Sequence, residues 1–167
     1  KLVNEFSDFA RMPKPIFKNN DLIKLLNENI ELLKKIDTSI NFKVNNKTGN
    51  KVLINFDNEQ FNRLFFNLIK NSIESIREKV KKTNKSLKNI DIEINQRRDY
   101  ITINLIDTGE GFKDKKAKDI IKPYYTTKEK GTGLGLSIVD KIINDHNGSI
   151  KFLNTNNGAK VQIILPK

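Results

Sequence analysis

The chain has no cysteine, no tryptophan and a single histidine among its 167 residues. Without thiols it has no disulfide framework, no cysteine nucleophile and no thiolate metal site. One histidine excludes a multi-histidine metal centre. No apolar run approaches the roughly 18 residues that a membrane span needs, and no signal-peptide pattern opens the sequence. Aromatic residues make up 8% and are not interleaved with the basic ones, so no stacking surface for nucleic acid is evident. The expectation is a soluble domain of a reducing compartment. What is abundant is positive charge: 31 Lys+Arg stand against 20 Asp+Glu, a net +11. Because lysine, asparagine and isoleucine are used throughout, this basicity reads as a solvated surface, with no nucleic-acid partner. The length fits one domain that buries roughly 70% of its unfolded surface.

The apolar residues sit in periodic blocks. Leu2, Val3, Phe6, Phe9 and Ala10 form one helical stripe over residues 1–11, which Pro13 and Pro15 should end. Asp21 is a plausible N-cap for a second helix carrying Leu22, Leu25, Leu26, Ile30 and Leu33. Strand-like pieces follow at 40–44 and 52–54, with Thr48-Gly49-Asn50 as a turn between them. The strongest helix spans about 57–80, capped by Asp57, with Phe61, Leu64, Phe65, Leu68, Ser72 and Ile76 on one face. The basic stretch 79–88 after it reads as a solvated loop. Alternation at Ile90, Ile92, Ile94 and at Ile101, Ile103, Leu105 predicts two strands joined near Arg97–Asp99. A helix over about 133–144 and strands near 149–153 and 161–165 complete an α+β layout, a mixed, mostly antiparallel sheet with helices on one face.

Glycine is the functional signal. Five of the eight glycines lie between 109 and 135. Asp107-Thr108-Gly109-Glu110-Gly111 follows directly on an apolar strand. A carboxylate there can accept a hydrogen bond from the exocyclic amine of adenine, whereas the carbonyl of guanine would be repelled. Gly109 and Gly111 let the backbone approach a flat base. In Lys130-Gly131-Thr132-Gly133-Leu134-Gly135-Leu136-Ser137, alternate glycines run into a helix N-terminus, whose free N–H groups and dipole favour phosphate oxygens. A plain hinge loop is the alternative. It is neither a Walker A sequence nor a full GxGxxG after a strand, so a Rossmann site is a poor reading. Asn67 and Asn71, four apart, share the helix face opposite the apolar stripe, flanked by Lys70 and Glu74. Their amide oxygens can ligate a hard cation such as Mg²⁺.

Together these elements resemble the ATP-binding domain of sensor histidine kinases, within the gyrase/Hsp90/histidine-kinase/MutL superfamily. Asn67-Leu68-Ile69-Lys70-Asn71-Ser72 looks like the N box, Asp107–Phe112 the G1 box and Gly131–Leu136 the G2 box. Pro123-Tyr124-Tyr125-Thr126-Thr127-Lys128 looks like the segment that forms the ATP lid, and Asn157-Gly158-Ala159 like the last glycine motif. Residues 3–13 resemble the end of the second dimerisation helix in nitrogen-regulation sensor kinases of the NtrY-like group. The resemblance implies a Bergerat-type two-layer α/β sandwich over residues 16–167, with residues 1–15 the end of a dimerisation helix and linker. It implies ATP and Mg²⁺ as cofactors, with Asn71 and Asn67 at the metal and Asp107 holding adenine. Lys70, Gly109, Gly111, Tyr125, Thr126, Thr127, Thr132, Leu134 and Leu136 line the nucleotide, Gly131, Gly133 and Gly135 cradle the phosphates, and Asn67 and Lys128 are catalytic. Departures are Ile121 where the family has Phe two residues before Pro123, and Lys160 soon after the last glycine motif.

By the same resemblance the reaction is γ-phosphate transfer to a histidine outside this chain, on its own dimerisation domain. His146 reads as a helix-end residue instead of the acceptor, so the chain does not autophosphorylate alone. A response regulator is the implied partner, and the full-length protein a homodimer anchored in the bacterial inner membrane with this domain in the cytoplasm. The alternative is an ATPase or a protein-serine kinase of the anti-sigma-factor type. Those relatives carry Glu at the position of Asn67, where it acts as general base. A non-enzymatic nucleotide-binding module is a third reading.

Overall fold

The computed structural model describes residues 12–49, 51–84, 87–112, 117–123 and 133–167. The helix expected over residues 1–11 lies outside them. Two short strands, β1 (Lys18–Asp21) and β3 (Leu53–Phe56), pair antiparallel. The main sheet has five strands in the order β2 (Asn41–Asn46), β4 (Asn89–Gln96), β5 (Tyr100–Asp107), β7 (Ala159–Pro166) and β6 (Ser149–Asn154). Only β2 and β4 run parallel; the other neighbours are antiparallel. The helices are α1 (Leu22–Lys34), α2 (Asn58–Thr83), the short α3 (Ala117–Ile120) and α4 (Gly135–Asp145).

The strand alternation sorts the sheet into two faces. Ile92, Leu105 and Val161 share one cross-strand row, and Ile94, Ile103 and Ile163 the next, all buried. They join α1, α2 and α4 in one continuous core. Glu93, Asn104 and Gln162 occupy the opposite face, where the Gln162 amide donates to Asn104 Oδ1 over 3.1 Å. The α+β sandwich with helices on one face is therefore what forms. Each buried Leu, Ile or Phe contributes about 1.5–3 kcal/mol, more than any strand or helix propensity at stake.

Helix boundaries follow local chemistry. Asp21 caps α1 by accepting from Ile23 N at 3.0 Å and Lys24 N at 3.4 Å. Asp57 caps α2 by accepting from Gln60 N at 2.9 Å. Lys81 and Lys82 lie in the last turn, complementing the negative end of the helix dipole. Asn84 then closes α2 in the left-handed conformation, φ 54°.

Two expectations need correction. The pieces at 40–44 and 52–54 are not neighbours across a turn: β2 joins the main sheet beside β4, whereas β3 pairs with β1. The apolar pattern marked the strands but carried no information on partners so far apart in sequence. The stretch 79–88 is not all loop, since α2 continues to Thr83. Lysines are good helix formers, and the favourable dipole end keeps the last turn helical.

Candidate functional site

Asp107 ends β5 on the inward face, continuing the row of Ile101, Ile103 and Leu105. A carboxylate thus occupies a core position, with the side of α2 above it. Asp107 is 5% exposed. Its Oδ2 accepts from the Ser72 hydroxyl at 2.8 Å, and its Oδ1 from Gly109 N at 2.9 Å and Ala159 N at 3.4 Å. Burial pushes the carboxyl above its ordinary value, against the Gly109 N–H, the Ser72 hydroxyl, the Ala159 N–H and the charge of Lys79. A carboxylate oxygen has two lone pairs, so Oδ2 retains acceptor capacity beyond Ser72. The chemistry offered is acceptance of a hydrogen bond from an amine by a largely desolvated carboxylate.

The backbone around Asp107 is tightly framed. A Cβ on Gly158 would lie 2.1 Å from the Asp107 carbonyl oxygen, so the turn before β7 must be glycine to rest on this loop. Glu110 N donates to Ser75 Oγ at 2.9 Å. The Asn154 side chain brackets Phe112, accepting from its N at 2.7 Å and donating to its O at 2.8 Å.

The second cluster joins α2 to the start of α4. A Cβ on Gly135 would lie 3.3 Å from Asn67 Oδ1 and 3.8 Å from Asn71 Nδ2. The first residue of α4 therefore sits directly against both asparagines. Asn67 Nδ2 donates to Arg63 O at 2.9 Å, which leaves Oδ1 on the side of α4. No side chain caps α4; Ile138 N makes its first internal bond, to Leu134 O at 2.9 Å. The N–H groups of Gly135, Leu136 and Ser137 therefore have no partner within the helix, and they lie at the positive end of its dipole. Leu134, fully buried, pins this end to the core, while Gly133 takes φ 70°, a turn that favours glycine.

The Asn67 amide oxygen beside anion-seeking N–H groups, with the Asn71 amide next to it, fits a hard divalent cation carried by a phosphorylated ligand. Among the described residues no group of three or more His, Asp or Glu could hold a metal, so ligand oxygens would complete its shell. Lys70 is on the exposed side of α2 and pairs with Glu74 at 3.9 Å. Tyr125, Thr126, Thr127, Lys128, Gly131 and Thr132 lie outside the described residues.

Sequence reasoning did not place Ser75, Asn154 or Lys79 at the site, and took Ser72 only as the last residue of the N box, with no contact to Asp107. Ser72 did leave a signal, a hydroxyl within an otherwise apolar stripe. His146 ends α4, as expected. Its Nε2 accepts from Asp57 N at 3.0 Å and its Nδ1 donates to Ile142 O at 2.8 Å.

This geometry has known counterparts. The family described as histidine kinase-, DNA gyrase B-, and HSP90-like ATPase matches residues 56–167. The chain belongs to that family. It is 32% identical over 165 residues to the nitrogen regulation protein NtrY of Azorhizobium caulinodans, covering 99% of this chain and 21% of the relative. It is 33% identical over 166 residues to sporulation kinase C of Bacillus subtilis, covering 96% and 37% respectively. The chain thus spans little more than a third, at most, of the length of these relatives. The catalytic domain of the histidine kinase ThkA, in a nucleotide-free form, superposes with a TM-score of 0.75 and 26% identity, over 91% of this chain and 96% of that one. Full-length ShkA in complex with AMPPNP shares the fold, with a TM-score of 0.81 over 99% of this chain and 35% of that one, at 20% identity. The chain is an ATP-binding catalytic domain of the two-component sensor kinase type. Among the described residues no helix is long and apolar enough to cross a membrane.

Proposed function

We propose that this domain binds ATP with Mg²⁺ and delivers the γ-phosphate to a histidine on its own dimerisation domain, outside this chain. The observation that carries the reading is the contact of Gly135 with Asn67 and Asn71, which brings the Asn67 amide oxygen and the Asn71 side chain to the uncapped start of α4. Asp107 accepts from the adenine amine. Asn71 and Asn67 hold Mg²⁺ together with phosphate oxygens; when bound, the cation neutralises charge on the phosphates. The N–H groups at the start of α4 hold the phosphate chain, with Gly131, Gly133 and Gly135 leaving room for it. In the transfer, an imidazole nitrogen forms the P–N bond as the β,γ-bridging P–O bond breaks, and ADP leaves with that electron pair. This domain contributes positioning and charge, with Lys128 as the cation at the γ-phosphate, Tyr125, Thr126 and Thr127 in the lid, and Thr132 lining the nucleotide. Lys70 serves the same anion from α2.

Residues 16–167 form the catalytic domain, and residues 1–15 end the dimerisation helix. Two contacts support a fixed linker: Ile16 N donates to Asp57 Oδ2 at 2.7 Å and Gln60 Nε2 to Pro13 O at 3.0 Å. In the full-length protein, a homodimer in the bacterial inner membrane, an acidic response regulator receives the phosphoryl group. An ATPase or serine kinase is disfavoured by Asn67, because an amide cannot take a proton from water or a hydroxyl.

Calorimetric titration with ATP and GTP, with and without Mg²⁺, tests this. Adenine preference that is lost in Asp107→Asn, and Mg²⁺ dependence that is lost in Asn71→Ala, support it. Absence of binding at millimolar ATP sinks it, and Mg²⁺-dependent ATP turnover by the chain alone favours the ATPase.

A further inference from the structure

Three side chains of α2 besides Ser72 reach one loop. Ser75 accepts from Glu110 N at 2.9 Å, Lys79 Nζ donates to Thr108 O at 3.1 Å, and Lys82 pairs with Glu110. Positions 72, 75, 79 and 82 fall on one helical face, and every one of them holds the segment 107–110. Lys79 also reaches the other glycine turn, donating to Asn157 O at 2.5 Å.

We infer that Lys79 is a positioning residue of the nucleotide site, clamping the loop after β5 to the turn before β7 and so fixing the frame of Asp107. The inference rests on the nucleotide reading above. The two segments already touch backbone to backbone at Gly158 and Asp107, and Ala159 N adds its bond to Asp107 Oδ1. Thr155 closes its own turn, its Oγ1 accepting from Gly158 N at 3.0 Å, and Thr108 Oγ1 ties the other loop to Asn89 N at 3.0 Å, but neither of these bonds crosses from one turn to the other. A single ammonium with donors to both carbonyls supplies the link, and it comes from the helix that also carries Asn67 and Asn71. The adenine-binding end and the metal-binding end of the site then share one rigid support. The same ammonium places a positive charge near a buried carboxylate, which favours its ionised, accepting form.

The test compares the native chain with Lys79→Met and Lys79→Arg by titration with Mg²⁺ and ATP across a pH series, with urea unfolding of each. Lys79→Met should bind ATP about tenfold more weakly at neutral pH, the loss of charge-assisted hydrogen bonds. Its binding should also fail at a higher pH on the acid side, because Asp107 loses a neighbouring cation. Lys79→Arg keeps the charge and should keep the native acid limb. Glu110 and Lys82, paired with each other, are the same in all three proteins. Lys79→Met that binds within twofold of native with an unchanged acid limb overturns the inference. So does Lys79→Arg that follows Lys79→Met in its pH profile. If the native chain itself binds no ATP, the nucleotide reading falls and this inference with it; if the native chain binds and only the Lys79 variants disappoint, the nucleotide reading stands.

Discussion

The Ser72 hydroxyl donates to Asp107 Oδ2 across 2.8 Å, joining two polar residues that each occupy a core position of their own element. Ser72 lies in the stripe of Leu68 and Ile76 on α2, and Asp107 continues the inward row of β5. Burying a carboxylate costs several kcal/mol unless donors meet it, and here a hydroxyl and backbone N–H groups do so. The fold accepts a charge in a row that is otherwise isoleucine and leucine, a departure from core patterning of the kind found where function costs stability.

Asp107→Asn should separate recognition from support. The amide loses the charged acceptor for an adenine amine, so ATP affinity should fall about 10- to 100-fold, equivalent to about 1.5–3 kcal/mol. GTP affinity should not fall with it. Ser72→Ala should cost about 1 kcal/mol of stability but leave ATP binding within a few-fold, because the Gly109 N–H still holds Oδ1. Calorimetry and urea unfolding read both, and equal losses of ATP and GTP in Asp107→Asn would count against base recognition.

Gly158→Ala places a methyl 2.1 Å from the Asp107 carbonyl, with Gly109 N at 2.8 Å. All of these contacts are backbone, so nothing flexible can give way. Stability should drop by about 1–3 kcal/mol, the cost of overpacking, and ATP binding should fall too as the loop is displaced. A variant that melts with the native chain would show that the two turns separate easily.

Gly135→Ala should behave in the opposite way. At the first residue of α4 the added methyl approaches Asn67 Oδ1 at 3.3 Å, a side-chain contact that a small shift relieves. Alanine also favours helix by up to about 1 kcal/mol, so stability should stay within about 1 kcal/mol of native. Mg²⁺-dependent ATP affinity should nevertheless fall, since the methyl covers the amide oxygen. Unchanged affinity with and without Mg²⁺ would remove Asn67 from the metal site.

How far these features are legible in the sequence depends on range. The periodicity of α2 exposes Phe61, Leu64, Phe65 and Leu68, and alternation marks β4, β5 and β7, because those signals are local. The strand β1, Lys-Asn-Asn-Asp, has no strand propensity at all; it exists because Leu53–Phe56 offers it a partner. The parallel pairing of β2 with β4 is equally invisible to local pattern. At the site, glycine spacing pointed to the loops, but the grip of Ser75 and Lys79 on them spans some thirty residues or more and needed the fold. Lys79 in particular sits in a basic stretch that composition alone marks as solvent.

His146 gives the fold a pH dependence whose sign follows from its bonds. The Asp57 N–H can only donate, so Nε2 accepts at 3.0 Å and the proton resides on Nδ1, which donates to Ile142 O at 2.8 Å. The bond from the Asp57 N–H requires the neutral ring, whereas the Nδ1–H bond to Ile142 O survives protonation. Burial holds the imidazole below its ordinary value of 6.5, against the Ile142 carbonyl and the carboxylates of Asp57 and Asp145. As pH falls through about 6.5, the unfolded chain takes up a proton that the folded chain refuses, so stability declines from that point downward. Asp57 and Asp37, whose carboxyls lie below their ordinary 3.8, add losses only in more acidic solution, whereas Asp107 and Asp140, raised by burial, take up protons more readily folded than unfolded and offset part of the decline. Urea unfolding from about pH 8 to about pH 5 should therefore show a decline in the native chain. His146→Leu should be less stable at the alkaline end by about 1–3 kcal/mol, since the Asp57 N–H loses its partner, yet should decline less than the native chain across the range. Parallel pH slopes for the two proteins would mean that His146 titrates as freely folded as unfolded, and that the junction of α4 with α2 is not what acid loosens.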